Sequence, residues 1–259
     1  MKYKIILCTL TYNEEDTVEY AVDYWKALGI TKAIVYDNFS TDSTVEKLKS
    51  YGDWIEIRYF KTDGMSDIHQ AQIKNGIINE FQGQDCWLLV CDFDEWLYSK
   101  DIDSLLDKME EGGYSVLGTQ WFAICNDETP PKQEGVLLHQ QSTKFYKQYI
   151  NHMPQFKHLG KFMLIDPRKI KAMNWSVGNH ICNPMGEFKL YVASPDEAIA
   201  IHLNKGISEQ YFVDKRRRMG ARLSELNKKY GMAIEYLKSE EESRKEYRDN
   251  QAKSFNINL

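Results

Sequence analysis

The stretch that decides the fold of this chain is Cys86–Glu95, which reads Cys-Trp-Leu-Leu-Val-Cys-Asp-Phe-Asp-Glu. Its apolar residues form an unbroken run, which predicts a strand buried on both faces, as in a parallel sheet covered by helices. Three carboxylates follow at once, at Asp92, Asp94 and Glu95. An acidic cluster at the end of a buried strand indicates a functional site.

The segments before this stretch alternate between short apolar runs and amphipathic stretches. Strands are predicted at 5–10, 32–36 and 54–59, and helices at about 15–28, 42–50 and 68–81. This alternation predicts an α/β fold in which a mostly parallel, Rossmann-like central sheet is flanked by helices.

The pattern becomes less regular after about Trp121. Shorter strands are expected at 142–146, 162–165 and 198–202, and from Ser208 onward the sequence is helical and rich in Lys, Arg and Glu. We therefore predict one domain over residues 1–206, followed by a helical C-terminal extension over residues 207–259.

The composition restricts the class of protein. The 259 residues are 42% hydrophobic and 27% charged, and their formal net charge of -5 argues against a general nucleic-acid binder. No apolar stretch approaches the roughly 20 residues that cross a bilayer, and the apolar run at the N-terminus is too short for a signal peptide. Five cysteines without a Cys-x-x-Cys pair predict buried free thiols in a reducing compartment. We expect a cytoplasmic protein.

Polar clusters follow three of the predicted strands, at 11–15, 37–42 and 92–95. In open α/β sheets, ligands bind outside the carboxyl ends of the strands, so we expect the three clusters to form a single site. The first two lack the glycine patterns of dinucleotide-binding and P-loop motifs. Asp37 could accept hydrogen bonds from a base or ribose; alternatively, Asn13, Asp37 and Ser40 cap helices and shape turns.

The third cluster indicates a metal site. Carboxylates so close together repel one another, and their burial is costly unless a cation compensates. Oxygen ligands suit Mg²⁺ or Mn²⁺, and such an ion can bridge two phosphates and neutralise a departing diphosphate.

The polar clusters, in this order, resemble the motifs of a known enzyme family. Thr-Tyr-Asn-Glu-Glu at 11–15, Tyr-Asp-Asn-Phe-Ser-Thr-Asp at 36–42 and Asp-Phe-Asp-Glu-Trp at 92–96 are similar to family 2 glycosyltransferases, which have the GT-A fold. More narrowly, the chain looks like the branch related to family 92, whose members carry Asp-x-Asp-Glu followed by Phe or Trp. The segment 201–220 is also similar to that branch.

This resemblance implies roles for individual residues. Asp94 would coordinate Mn²⁺ or Mg²⁺ directly, Asp92 would bind the metal or the ribose, and His202 would be the distant third ligand, through an undetermined nitrogen. Asp37 would face the base. The implied donor-binding residues are Thr11, Asn13, Glu14, Asp37, Asp92 and Lys205, and the run Lys215–Arg218 would lie near the phosphates or form a solvated helix face.

The sequence departs from the common family 2 pattern in two ways. Asn38 and Phe39 replace the usual Asp-Gly after Asp37, which weakens the expected base contact. No Glu-Asp pair stands where many members place the catalytic base, the carboxylate that deprotonates the acceptor hydroxyl. Asp127 and Glu128 are the first candidates for this base, with Glu95 and Glu187 as alternatives. Trp121 could provide a platform for a sugar ring.

The function that follows from the resemblance is metal-dependent glycosyl transfer with inversion. The donor would be a nucleoside diphosphate sugar, with a UDP-sugar favoured, and the acceptor a saccharide or lipid-linked hydroxyl in surface polysaccharide or lipopolysaccharide synthesis. The C-terminal helices could contact a membrane or pack on the domain or a second subunit. A nucleotidyltransferase would need a glycine-rich or Lys-Arg loop, which 9–16 lacks; a non-catalytic binder would not need Asp92, Asp94 and His202 together.

Overall fold

The computed structural model describes residues 2–133, 135–141, 144–148, 159–176, 182–203 and 207–256. The strands are β1 (Ile5–Thr11), β2 (Lys32–Asp37), β3 (Ile55–Tyr59), β4 (Trp87–Asp92), β5 (Glu95–Ser99), β6 (Val116–Ile124), β7 (Phe145–Gln148), β8 (Lys161–Ile165), β9 (Ile170–Ala172), β10 (Met185–Gly186), β11 (Leu190–Val192) and β12 (Ala198–His202). The α-helices are α1 (Val18–Leu28), α2 (Thr44–Lys49), α3 (Asp67–Phe81), α4 (Ile102–Glu111), α5 (Leu138–Gln141), α6 (Glu209–Ala221), α7 (Glu225–Tyr230) and α8 (Glu240–Gln251).

Most strands join one central sheet, in the order β3-β2-β1-β4-β8-β6-β12-β5, with β7 and β11 also paired to β6. The strands from β3 to β4 are parallel neighbours, β8 runs antiparallel between β4 and β6, and β12 is parallel to β6. The structure therefore confirms the predicted α/β fold with a mostly parallel central sheet. It also confirms the predicted strands and helices from β1 to β4, each of which has its own local apolar pattern.

Both faces of the sheet are covered, which explains the unbroken apolar runs. Side chains alternate between the two faces of a strand. Ile5 and Leu7 of β1 belong to the core that includes buried residues of α1 and α4. Ile6 and Cys8, which alternate with them, belong to the core that includes Ile77 of α3. A parallel sheet sandwiched in this way needs apolar residues at every strand position.

Two elements, β5 and α4, were not predicted from the sequence, and β5 matters for the site. This strand begins at Glu95, inside the acidic cluster, and pairs antiparallel with β12. The register sets His202 opposite Glu95, and the Leu203 amide donates to the Asp94 carbonyl at 2.8 Å. A pairing across about a hundred residues of chain leaves no local pattern in the sequence, although it places His202 beside the acidic cluster.

The C-terminal extension is helical, as predicted, and packs against the domain. Phe212 of α6 and Tyr247 of α8, both 1% exposed, form a buried cluster with Ala123, Cys125 and Tyr146. The Tyr247 hydroxyl donates to the carbonyl of Asn126, which follows β6. The extension and the sheet therefore share buried surface.

All five cysteines are buried and unpaired, which confirms the prediction of free thiols. Burial raises the pKa of Cys125 to about 11, so this thiol is protonated and unreactive at neutral pH. Across the part of the chain that the structure describes, no helix combines the length and apolar character needed to span a bilayer.

We predict that Phe212→Ala lowers the free energy of unfolding of the domain by about 3–5 kcal/mol, because it leaves a cavity in this shared cluster. All six tryptophans precede residue 207, so tryptophan fluorescence in a denaturant titration reports on the domain alone. Tyr230→Ala, at a side chain 61% exposed, is the control and should change the value by less than about 0.5 kcal/mol. An unchanged transition in Phe212→Ala would show that the extension unfolds independently.

Candidate active site

The carboxyl ends of β1 and β4 open into a cavity of about 560 Å³. From the strands and the turn between β4 and β5, the lining includes Thr11, Asp92, Asp94, Glu95 and His202. From α6 and the segment after it, the lining includes Lys215, Arg216, Met219, Arg222 and Tyr236. The sheet edge thus supplies acidic groups, and the C-terminal extension supplies basic ones.

Three buried lysines neutralise the acidic cluster. Lys74 of α3 binds Asp92 with Nζ 2.5 Å from Oδ1, and Lys161 of β8 binds Glu95 with Nζ 2.8 Å from Oε1. These two lysine side chains are 1% and 5% exposed. A metal was expected to compensate the charge of these carboxylates, whereas the protein supplies much of the compensating charge from its own lysines.

The third lysine, Lys215 of α6, lies between two carboxylates. Its Nζ is 2.7 Å from Glu14 Oε1 and 3.0 Å from Asp94 Oδ2. Burial disfavours the charge on Lys215, but Asp94 and Glu14 raise the pKa of the lysine well above its ordinary value. Burial likewise opposes ionisation of Asp94, yet Lys215 holds the pKa of that carboxyl well below its usual range. Both groups are therefore charged in the folded protein.

Lys74 and Lys161 were not predicted as site residues, although the sequence pattern around each one indicates a buried position. Lys74 lies on the buried stripe of α3, between Ala71 and Ile77 at helical spacing. Lys161 begins the apolar run Lys161–Ile165, every residue of which is buried. A lysine at such a position is rarely buried without a carboxylate partner.

His202 faces Asp94 through a defined nitrogen. Its Nε2 lies 3.4 Å from Asp94 Oδ2, and its Nδ1 lies 3.0 Å from Gln148 Oε1. The Gln148 amide is itself oriented, because its nitrogen donates to the Tyr146 hydroxyl at 3.0 Å. This arrangement assigns the proton to Nδ1 and directs Nε2 toward Asp94 and the cavity. Trp121 stacks on the imidazole with ring centroids 4.5 Å apart.

Asp94 and His202 offer one oxygen and one nitrogen to a divalent cation on the cavity wall. Within the described ranges, no three His, Cys, Asp or Glu side chains are grouped so as to hold a metal ion by themselves. The charged side chains that line the cavity comprise six carboxylates and four cationic groups, a net charge of -2 with His202 neutral. The donor atoms and the negative charge both fit a divalent cation whose remaining ligands come from elsewhere.

Several predicted donor-binding residues lie where the sequence suggested. Thr11, Glu14 and Asp92 line the cavity. Lys205 lies outside the described residues. Of the predicted basic run, Lys215 and Arg216 line the cavity, whereas Arg217 is 73% exposed at its side chain.

Asp37 and Asn13 have local structural roles and do not line this cavity. Asp37 is fully buried, and its carboxylate accepts hydrogen bonds from the Ser40 amide at 2.9 Å and the Ser40 hydroxyl at 2.5 Å. Asn13 has a positive φ of 52° and exchanges hydrogen bonds with Thr41. These contacts agree with the turn-shaping alternative, and Asn38, beside Asp37, lines the cavity in its place.

Asp127 and Glu128, the first candidates for the catalytic base, do not line the cavity. Asp127 is 72% exposed at its side chain, where it binds Lys144 at 2.6 Å and accepts from Gln251 of α8 at 2.9 Å. Glu128 and the alternative Glu187 are exposed as well. The structure therefore places Asp127 beside α8, outside this cavity, and a role of Asp127 or Glu128 as the base stays a prediction. Glu95 does line the cavity.

Comparison with known proteins gives one match in sequence. The model of Glycosyl transferase family 2 matches residues 6–166. No curated protein matches the chain. Among solved structures, S. aureus TarS is similar over 90% of this chain, with 14% identity and a TM-score of 0.48, and the chain spans 43% of TarS. S. aureus TarS 1–349 in complex with UDP-GlcNAc is similar over 90% of this chain and 71% of its own length, with 13% identity and a TM-score of 0.47.

We predict that Lys161→Met destabilises the protein by about 3–5 kcal/mol, because it leaves Glu95 charged and buried without its partner. The double variant Lys161→Met/Glu95→Gln should recover part of this loss. Lys108→Met is the matched control, since it breaks the pair with Glu197 at a lysine side chain 57% exposed, and should cost less than about 1 kcal/mol. Denaturant titration measures all three values. Equal losses in Lys161→Met and Lys108→Met would contradict a buried, compensated cluster.

Proposed function

The chain belongs to glycosyl transferase family 2 and has the GT-A fold, and from this membership we propose that it transfers a sugar from a nucleoside diphosphate sugar to a hydroxyl group. The observation that carries the proposal is the convergence of Asp94, His202 and the basic residues of α6 on one cavity at the strand ends. This is the place where open α/β sheets bind ligands.

The proposed metal is Mn²⁺ or Mg²⁺, held by Asp94 and by Nε2 of His202, with Asp92 as the further ligand when the donor is bound. The ion would supply charge that offsets the diphosphate and stabilises it as the leaving group. The net charge of -2 on the lining supports a requirement for a cation, because a diphosphate without one would enter a cavity of its own sign.

The protein's own residues prepare the two ligands. Lys215 keeps Asp94 ionised, so this carboxylate needs no deprotonation before it binds a cation. Gln148 holds the proton of His202 on Nδ1 and leaves the lone pair on Nε2, which faces the cavity. Trp121 packs on the imidazole ring and limits its rotation.

The proposed transfer proceeds with inversion and needs a carboxylate that accepts the proton of the acceptor hydroxyl. Of the four sequence candidates, Glu95 is the one on the cavity wall, and its Oε1 lies 2.8 Å from Lys161 Nζ. Catalysis by Glu95 would therefore require this ion pair to open. Asp127 and Glu128 do not line the cavity, and Asp127 accepts from Gln251 of α8.

The donor, the acceptor and the pathway are proposed from the family resemblance alone. We favour a UDP-sugar as donor and a saccharide or lipid-linked acceptor, in surface polysaccharide or lipopolysaccharide synthesis in the cytoplasm. Contact of the C-terminal helices with a membrane also stays a prediction. So does membership of the chain in the branch related to family 92.

We predict that wild-type protein binds one of a panel of nucleoside diphosphate sugars in the presence of Mn²⁺, as measured by calorimetric titration. Asp94→Asn and His202→Gln should each weaken this binding by on the order of a hundredfold, since each removes a proposed metal ligand. Asp127→Asn is the control and should bind like wild type. Donor binding that ignores Mn²⁺ or survives both substitutions would contradict the metal-dependent mechanism; loss of binding in the Asp127 variant would restore that residue to the site.

A further inference from the structure

Arg222, the residue just after α6, holds an unusual position in the cavity. The carbon of its guanidinium group lies 3.1 Å from the centroid of the Tyr12 ring, and both residues line the cavity. Within the described part of the chain, no carboxylate pairs with Arg222, whereas Arg216 pairs with Glu246 at 2.8 Å and Arg217 with Asp214 at 2.9 Å. Burial lowers the pKa of Arg222. The cavity therefore contains a guanidinium group that forms no ion pair with a carboxylate of the described residues.

The backbone of Arg222 is fixed. Its carbonyl accepts from the Met65 amide at 2.7 Å, and the Met65 carbonyl accepts from the Ser224 amide at 3.1 Å. Gly64 permits this approach, because a Cβ atom there would lie 2.2 Å from the Arg222 carbonyl oxygen. Nearby, the Asn227 side chain binds the amide of Asp67 at 3.2 Å and its carboxylate at 2.9 Å. These contacts hold the main chain at Arg222, so a movement of this residue would be a movement of its long side chain.

Tyr12 is placed to receive a flat aromatic group. It follows β1 directly, beside Thr11, and Phe60 and Met65 line the same cavity. An aromatic ring stacks well with a nucleobase as well as with a guanidinium group. A guanidinium group, in turn, binds phosphate oxygens through paired hydrogen bonds that are stronger than a cation–π contact at a partly exposed site. A nucleoside diphosphate carries both complementary groups.

We propose that Arg222 exchanges partners when the donor binds: the nucleobase replaces its guanidinium group on the Tyr12 ring, and the guanidinium group moves to the diphosphate. This inference rests on the proposed nucleoside diphosphate sugar donor and adds a residue of the C-terminal extension to its binding site. Release from the ring and capture of phosphate are coupled, so the exchange favours a ligand that has both groups over a nucleoside or a phosphate alone.

The test is calorimetric titration of wild type and Arg222→Ala with UDP and with uridine, in the presence of Mn²⁺. If another nucleoside diphosphate binds wild type best, that compound and its nucleoside replace UDP and uridine. Arg222→Ala should weaken diphosphate binding by on the order of tenfold to a hundredfold. The same variant should bind the nucleoside as well as wild type or more tightly, because Arg222 no longer covers the ring.

Two further variants distinguish the effects of the charge and hydrogen-bond geometry of Arg222 from a general loss of stability. Arg222→Lys keeps the charge but loses the paired hydrogen bonds, so its affinity for the diphosphate should lie between those of wild type and Arg222→Ala. Arg248→Ala changes an arginine of the same extension that is 67% exposed and should match wild type with both ligands.

The outcomes distinguish this inference from the proposed function. If wild type binds no nucleoside diphosphate, the proposed donor site is wrong and the exchange fails with it. If wild type binds but Arg222→Ala binds the diphosphate equally well, the exchange alone is overturned. A parallel loss of diphosphate and nucleoside affinity in Arg222→Ala would show that the guanidinium group supports the ring from its other face, which also overturns it.

Discussion

The interaction on which the site depends is the buried contact of Lys215 with Glu14 and Asp94. Glu14 follows β1, Asp94 follows β4, and Lys215 comes from α6, so one ammonium group joins two strand ends to the C-terminal extension. Two carboxylates this close and this deeply buried would repel each other without it. Parallel strands bring such groups to one edge, so the fold itself creates the need for the cation. The extension is thus a structural requirement of the site as well as a wall of the cavity.

The other two buried lysines pair with the remaining carboxylates at this edge of the sheet. Lys74 and Lys161 approach the cluster from α3 and β8, so each carboxylate after β4 has a basic partner from a different element. Because the partners are buried and specific, they fix the direction of each carboxylate before any ligand binds. Such preorganisation matters for a site in which a shift of about 1 Å can cost much of the activity.

The sequence predicted the parts of the structure that depend on nearby residues. The strands and helices up to β4 follow from local periodicity, and the acidic cluster follows from its position after an apolar run. His202 came from the family resemblance, and its contact with Asp94 depends on the pairing of β5 with β12, which no local pattern shows. Asp37 was expected to face a ligand, but Ser40 three residues later satisfies its carboxylate. The role of Arg222 depends on where the chain returns after α6, which only a three-dimensional structure shows.

The lysines also bear on what a divalent cation would do in the proposed reaction. If the carboxylates had no partners, a cation would be needed for the site to fold. Here the internal ion pairs already satisfy that need, and the lining keeps a net charge of only -2. A divalent cation would cancel this remainder, so the diphosphate of the donor would no longer enter a cavity of its own sign. The proposed cation is therefore a partner of the donor rather than a part of the fold, and the protein is expected to be folded and ready before either binds.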